Sequence, residues 1–301
     1  MSTAYLFPGQ ASQRVGMGAD LYESHATARA IYDEADALLG FPLSKLCFEG
    51  PDEALLDTVN QQPAIFVTSL AAWSVLKEEA NRPDPSFFAG HSLGEFSALV
   101  AARSLSFADG VRLVRRRGEL MKAAGEREPG GMAAILGLSV EELAAICEQA
   151  TAATNRPVQV ANDNCPGQVV ISGDNAALDV ATALAEAANA RKVVRLKISI
   201  AAHSQLMHSA AEEFFAAVAD TPIHAPQVPV IANASAQPLR SEEAVRAELR
   251  AQLTAAVRWT ESMTYLLSQD VDNFVEVGPG EVLAGLMKRI DRKASRDTYY
   301  K

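Results

Sequence analysis

The chain of 301 residues has only three cysteines, Cys47, Cys147 and Cys165, and no CxxC pair. An odd, scattered set gives neither a disulfide frame nor a thiolate metal site, so free thiols in a reducing cytoplasm are expected. Positive charge is also scarce: 27 Lys and Arg face 37 Asp and Glu, for a net charge of −10. That balance does not suit a nucleic-acid backbone. The first residues, Met1-Ser2-Thr3-Ala4-Tyr5, lack a basic region and a long apolar run, so no signal peptide is expected. No uninterrupted apolar segment reaches membrane-spanning length. Internal repeats and low-complexity linkers are absent as well. What is present is an ordinary globular composition, 49% hydrophobic and 21% charged, in a chain long enough to bury a sizeable core. The expectation is a soluble cytoplasmic protein with no nucleic-acid or membrane partner.

One stretch organises the rest. Gly90-His91-Ser92-Leu93-Gly94-Glu95 follows a short apolar run, Phe87-Phe88-Ala89, and precedes a helix-prone run from Phe96 to Ala102. Strand, G-x-S-x-G and helix, in that order, is the context of a nucleophile elbow. Glycine on either side relieves crowding in the tight turn, and the hydroxyl is held out at a helix N-terminus. Free backbone N–H groups there can stabilise an oxyanion. The plainer alternative is a turn into a helix that happens to hold a serine. Serine also needs a base, and the chain has five histidines: His25, His91, His203, His208 and His224. His91 adjoins the serine, but neighbours on a turn usually point apart. His203 follows Ile198-Ser199-Ile200, where a strand gives way to a new segment, a usual place for catalytic side chains. Spacing alone does not decide between that role and a structural one.

A second residue stands out from periodicity. Ser106-Phe107-Ala108-Asp109 resembles a capping box that opens a helix to about residue 124. At about 100° per residue, Leu113, Val114, Leu120, Met121 and Ala124 fall within roughly 60° of Arg117. Arg112, Arg115, Glu119 and Lys122 fall on the opposite side. Arg117 therefore projects from the centre of the apolar face. A buried guanidinium needs an anionic partner, and its planar fork suits a carboxylate. An internal salt bridge and a bound substrate carboxylate both satisfy that need.

Patterning outlines the fold. A strand is expected over 4–7 and an amphipathic helix over about 24–39, with Ile31, Ala35 and Leu38 on one face. Pro63 suits the first turn of a helix running to Leu76, apolar nearly all round and buried beneath the elbow. Residues 126–131 read as a hinge. Then come a strand over 132–138, a capping box at Ser139 to Glu142 with a helix to about 150, and strands over 157–161 and 168–172. A helix capped by Asp174 to about 190 and a strand over 192–198 complete the order βαββαβ, the ferredoxin-like split unit. Asn162 and Asn164 are placed on its turn. Beyond it, strands over 228–232 and 273–277 alternate with helices near 241–254, 260–269 and 281–290, which implies a parallel sheet covered on both faces. The expected organisation is a discontinuous large α/β domain, residues 1–128 and 199–301, with the small domain, residues 129–198, inserted in it. His203 falls at the junction.

Seven stretches resemble one family, the malonyl-CoA:acyl carrier protein transacylases and the related acyltransferase domains of polyketide synthases. They are Leu6 to Gln10, Gln61 to Ala64, Gly90 to Glu95, Val111 to Gly118, Asn162 to Gln168, Ala202 to Ser204 and Glu276 to Gly280, in the family's order across nearly the whole chain. The resemblance implies an α/β-hydrolase-like large domain. It implies Ser92 as the acyl-carrying nucleophile, His203 as its base, and backbone N–H groups of Gln10 and Leu93 as the oxyanion hole. Arg117 would hold the malonyl carboxylate, and Asn162 is a candidate substrate contact. Gln252 matches the position whose backbone carbonyl orients the histidine, in place of a triad aspartate. The implied activity is ping-pong transfer of a malonyl or related carboxylated extender group from coenzyme A to the phosphopantetheine thiol of an acyl carrier protein, in fatty acid or polyketide biosynthesis. No metal and no resident cofactor are implied, and the chain is expected to be a monomer.

The chain departs from that family at Ala202, where malonyl-selective members usually carry phenylalanine. Alanine opens space beside the malonyl α-carbon, and an apolar pocket discriminates one methylene by only about 1–3 kcal/mol. Relaxed or altered selectivity, extending to larger α-substituted extender units, is therefore expected. Ala11 stands where glycine is common, a change expected to be minor. Arg112, Arg115 and Arg116, or Lys288, Arg289, Arg292 and Lys293, are candidate docking patches for an acidic carrier. Two rival activities share these motifs. One is a hydrolase that clears acyl-carrier thioesters, against which Arg117 weighs. The other is a non-catalytic carrier-binding subunit, against which Ser92, His203 and Gln10 together weigh.

Overall fold

The computed structural model describes residues 2–196 and 198–300. The chain opens with β1 (Ser2–Phe7), followed by α1 (Ala19–Ser24), α2 (Ala26–Leu39), α3 (Leu43–Glu49), α4 (Asp52–Leu56) and α5 (Thr58–Leu76). The helix expected over about 24–39 is α2, and His25, whose extended backbone ends α1 and starts α2, sets its first residue at Ala26. α5 begins before the proline that was expected to start it. Asp57 caps it by accepting the Val59 N–H, so Pro63 lies inside the helix. Proline cannot donate to the carbonyl four residues back. That carbonyl, on Val59, instead accepts from Arg115 Nη1 at 3.2 Å.

The elbow joins β2 (Pro85–Gly90) to α6 (Gly94–Ala101), and α7 (Phe107–Arg127) follows. Ser106 caps α7 through the Asp109 N–H, but the Asp109 carboxylate binds the Ser106 hydroxyl and does not close a reciprocal box. The next six elements are β3 (Gly130–Leu136), α8 (Val140–Thr154), β4 (Val158–Cys165), β5 (Gln168–Asp174), α9 (Asn175–Ala187) and β6 (Lys192–Arg195). Ser139 and Glu142 do form the reciprocal box on α8. β6 stops short of the expected 198, and Lys197 lies outside the described residues. β4 runs on to Cys165, so Asn162 and Asn164 stand on a strand and not on a turn. Its ladder to β5 shifts register on either side of Asn162 and Asp163.

A 3-10 turn over Gln205–Met207 leads to α10 (His208–Ala219), β7 (Val230–Ile231), β8 (Pro238–Leu239), α11 (Glu242–Ala251), β9 (Val257–Arg258), α12 (Trp259–Ser268), β10 (Val271–Val277), α13 (Val282–Ile290) and β11 (Ser295–Tyr299). The large sheet has the order β11-β10-β1-β2-β7-β8, parallel throughout except for the β7–β8 pair. Alternation along β1 sends Tyr5 and Phe7 into a core with Phe66, Trp73, Phe96 and Phe214. Ala4 and Leu6 enter a core on the other face with Trp259, Phe274 and Leu283. Helices therefore cover both faces, as the alternating pattern implies. The small sheet has the order β6-β3-β5-β4-β9. Its first four strands pair antiparallel. β9 joins parallel to β4 through Asn162–Val257 and Asp163–Arg258. The small sheet is therefore completed by residues beyond the expected 129–198 segment, and it is pinned to the large one beside the elbow.

Candidate active site

β1 and β2 pair in register, with Phe7 beside Gly90. Residues 8–10 and 91–94 thus leave the C-terminal edge of a parallel sheet side by side, where such sheets bind ligands. The elbow needs its glycines. A Cβ on Gly90 would lie 2.0 Å from the Gly94 carbonyl, and one on Gly94 2.1 Å from the Phe7 oxygen. Ser92 itself has φ 51°, a left-handed conformation that costs a serine about 1–3 kcal/mol. Asn233 offsets it by accepting the Ser92 N–H at 2.6 Å and donating to the Gly90 carbonyl at 2.7 Å. Gln252 Nε2 donates to the Ser92 carbonyl at 2.9 Å.

Ser92 Oγ lies 2.8 Å from His203 Nε2, and His203 Nδ1 lies 3.0 Å from the Ala255 carbonyl. A carbonyl only accepts, so Nδ1 carries the ring proton and the Nε2 lone pair faces the serine hydroxyl. The Ala255 carbonyl makes the hydrogen bond to Nδ1, and the expected Gln252 carbonyl is a weaker acceptor for the ring. It faces the ring as a second influence, since both carbonyls favour the charged imidazole. They are outweighed. Burial first, then the Arg117 and His91 charges, push the His203 pKa down to about 3. The histidine is a neutral base at physiological pH. Its loop is tied to β4, because Gln159 Nε2 donates to the carbonyls of His203 at 3.1 Å and Thr254 at 3.0 Å.

Arg117 is fully buried, as the helix periodicity of α7 requires. Its Nη1 donates to Gln62 Oε1 at 2.7 Å, its Nε to Gln252 Oε1 at 3.1 Å and its Nη2 to Ser92 Oγ at 3.1 Å. The Phe96 ring lies beneath it. Among the described residues, no carboxylate forms an ion pair with it, so the internal salt bridge is not made. Burial lowers its pKa to about 10, against the opposing charge of Glu95. An anion arriving beside Ser92 would meet a desolvated guanidinium.

The backbone N–H groups of Gln10 and Leu93 donate no hydrogen bond to the described residues. The Gln10 side chain is anchored to Thr58 Oγ1 at 3.1 Å and Gln61 Oε1 at 2.5 Å. Ala11 has φ 77°, which explains why glycine suits that position and makes the alanine less neutral than expected. Ala202 is half-buried and borders Met132, Ala161 and Val170. The asparagine that touches the elbow is Asn164, whose Oδ1 is 2.8 Å from His91 Nε2; Asn162 is buried on β4 beside β9. Cys165 is buried with its thiol pKa raised by burial, which disfavours the thiolate. Among the described residues there is no group of side chains that could hold a metal ion.

Several site residues were not legible in advance. Glu95, Asn233, Gln159, Glu248 and Ala255 come from five separate segments. Only Glu95 left a signal, as a charged residue opening an otherwise apolar helix.

The comparisons with known proteins follow the same geometry. Residues 4–297 match the acyl transferase domain family. The malonyl CoA-acyl carrier protein transacylase of Bacillus subtilis is 45% identical over 96% of this chain and 90% of its own. The Escherichia coli K12 protein of the same name is 42% identical over 95% and 92%. An acyl-carrier-protein S-malonyltransferase structure from Bartonella henselae matches with TM-score 0.95 at 39% identity, covering 99% of this chain and 95% of that one. A malonyl-transacylase in complex with its type II polyketide synthase acyl-carrier protein matches with TM-score 0.94 at 38% identity, covering 100% and 96%. The chain is an acyltransferase that belongs to the acyl transferase family, among the malonyl-CoA:acyl carrier protein transacylases.

Proposed function

We propose that the chain transfers a malonyl or closely related carboxylated group from coenzyme A to the phosphopantetheine thiol of an acyl carrier protein, through an ester on Ser92. The observation that carries this is Arg117: a buried cation, unpaired by any carboxylate among the described residues, with Nη2 3.1 Å from the Ser92 hydroxyl. An acyl group bearing a terminal carboxylate would satisfy that cation and set its thioester over Oγ. The Ser92 proton passes to His203 Nε2 as Oγ bonds to the thioester carbon. The Gln10 and Leu93 N–H groups face the resulting oxyanion. When the tetrahedral intermediate collapses, the carbon–sulfur bond breaks and coenzyme A leaves with the proton from His203. The carrier thiol then gives its proton to His203 and attacks the ester. Collapse returns the proton to Ser92 and leaves a malonyl thioester on the carrier. His203, held neutral, can act as base in both halves.

Intact-protein mass spectrometry tests this. Mixing with malonyl-CoA should add one malonyl group, absent from Ser92→Ala, and holo carrier protein should remove it as carrier thioester. Free malonate released without transfer, or acyl-carriers hydrolysed to free acid, would mark the hydrolase. The same mixtures read selectivity. Alanine at position 202 supports acceptance of methylmalonyl or ethylmalonyl groups, and adducts of those masses should accompany the malonyl one.

A further inference from the structure

Behind the nucleophile lies a buried carboxyl pair that the transfer chemistry does not use. Glu95, fully buried on the first turn of α6, receives three N–H donors. Its Oε1 accepts from the Asn233 backbone N at 2.9 Å and from Asn233 Nδ2 at 3.2 Å. Its Oε2 accepts from Gln252 Nε2 at 2.8 Å. The Glu95 and Glu248 carboxyls share a hydrogen bond, and Glu248 Oε1 also accepts the Ala234 N–H at 2.8 Å. Burial and mutual proximity push Glu95 well above the carboxylate range, and burial raises Glu248 too. Two buried carboxyls in contact keep one proton between them and carry one negative charge.

The Glu95 member of that pair lies one amide away from Arg117. Gln252 Nε2 faces Glu95 Oε2 and the Ser92 carbonyl, while its Oε1 faces Arg117 Nε. The partners fix the amide orientation, because the nitrogen faces only acceptors and the oxygen a donor. A carboxylate placed directly on Arg117 would fill the fork that a substrate carboxylate needs. The charge of the pair, held beyond one glutamine, offsets the buried cation and leaves two of the five guanidinium N–H groups for that substrate carboxylate. The second arm runs through Asn233, which holds the Ser92 N–H and the Gly90 carbonyl.

We propose that Glu95 is a positioning residue with two arms: through Gln252 it holds the Arg117 fork for an acyl carboxylate, and through Asn233 it holds the Ser92 elbow. This deepens the transfer reading and rests on it. The arms separate experimentally when malonyl-CoA is compared with acetyl-CoA, which lacks the free carboxylate, in single-turnover acylation of Ser92. Gln252→Leu should raise KM for malonyl-CoA and lower the malonyl-to-acetyl ratio of kcat/KM by about tenfold or more. Asn233→Ala should slow both substrates by a similar factor, about tenfold or more, with the ratio held within about twofold. Glu95→Gln, which breaks the carboxyl pair and turns one acceptor oxygen into a donor, should do both. A folded Glu95→Gln that slows both substrates equally at unchanged KM would reduce the residue to a structural role and overturn the proposal. Should Glu95→Gln fail to fold, the same pattern from Gln252→Leu and Asn233→Ala would overturn it equally. An unmutated enzyme that forms no malonyl ester would overturn the transfer reading and this proposal with it. A malonyl ester that forms normally, with undivided arms, would remove only the proposal.

Discussion

At the scale of single residues, the environment of His203 makes two pH statements. Its pKa is pushed from 6.5 down to about 3 by burial first, with Arg117 and His91 adding to it. The base form therefore persists well below the usual histidine range. Acyl-enzyme formation should show no histidine limb in kcat/KM between about pH 5 and 8. A half-maximal point near 6.5 would contradict the buried, neutral base. The stability consequence has its own sign. Below pH 6.5 the unfolded chain binds a proton at this residue that the folded chain refuses. Stability is therefore lost as pH falls from 6.5 toward 3. His203→Gln should make the decline of the urea midpoint between about pH 6.5 and 4 shallower, although His91, also lowered by burial, retains its share. Ala202, immediately before His203, is proposed to act on selectivity and not on rate. Ala202→Phe should fill the space beside Met132, Ala161 and Val170. It should improve the preference for malonyl-CoA over ethylmalonyl-CoA by about 10- to 200-fold, the worth of about 1–3 kcal/mol. Equal losses for both substrates would place the ring elsewhere.

At the scale of elements, α5 shows how a helix tolerates proline through a neighbour. Pro63 leaves the Val59 carbonyl without its intrahelical donor, and Arg115 on α7 supplies one. The same guanidinium group donates to Asn60 Oδ1 at 3.0 Å and pairs with Glu119 at 2.8 Å. Because Arg115 is partly exposed, water can replace much of this. Arg115→Met should cost about 1 kcal/mol, read from urea midpoints. Restoring the backbone donor with Pro63→Ala should at least halve that cost, a non-additivity that a double-mutant cycle resolves. Equal costs in both backgrounds would show that the Val59 bond contributes nothing. This is also where sequence reading went astray. Proline at the first turn is a sound rule, but the donor that overrides it comes from another helix, about fifty residues on. The face of α7 was legible because periodicity alone puts Arg117 among apolar neighbours. β4 was cut short because Asn162, Asp163 and Asn164 carry turn chemistry. On the strand they are accommodated by register shifts and by a partner strand, β9, that no local pattern announces. β11, with the sequence Ser295–Tyr299, is polar and reads as a strand only once β10 is beside it.

At the scale of the whole molecule, the pairing of Ser92 with His203 was legible because each member sits at a local break in pattern. The network that positions the pair was not. Ser92 meets Asn233 across 141 positions and Gln252 across 160, and those contacts exist only after both sheets have closed. Carrier recognition is a property of the same scale. The chain carries a net charge of −10, so under the proposed transfer an acidic carrier would need a local patch that the field of the whole molecule does not provide. The two candidate patches differ in what already occupies them. Arg112, Arg115 and Arg116 on α7 pair with Asp109, Glu119 and Glu213. Lys288, Arg289, Arg292 and Lys293, at and beyond the end of α13, have no ion pair among the described residues. Arg289 reaches the Pro166 carbonyl and Gln168 at the β4–β5 turn, which places the patch against the small sheet. α13 also starts beside the Gln10 loop, where Gly280 packs near Ser12, and its nine residues span only about 13 Å. The patch is therefore about one short helix away from the Gln10 loop. Lys288→Glu with Arg292→Glu should lower kcat/KM for the carrier by about tenfold or more at about 0.1 M salt, and by much less at about 1 M, where screening is nearly complete. Loading from malonyl-CoA should change by less than about twofold, since no residue of the elbow is touched. The reversal Arg112→Glu with Arg116→Glu should affect the carrier step by less than about threefold. If that pair instead carries the loss, the carrier docks along α7, and the unpaired cations of α13 only balance the negative end of their own helix.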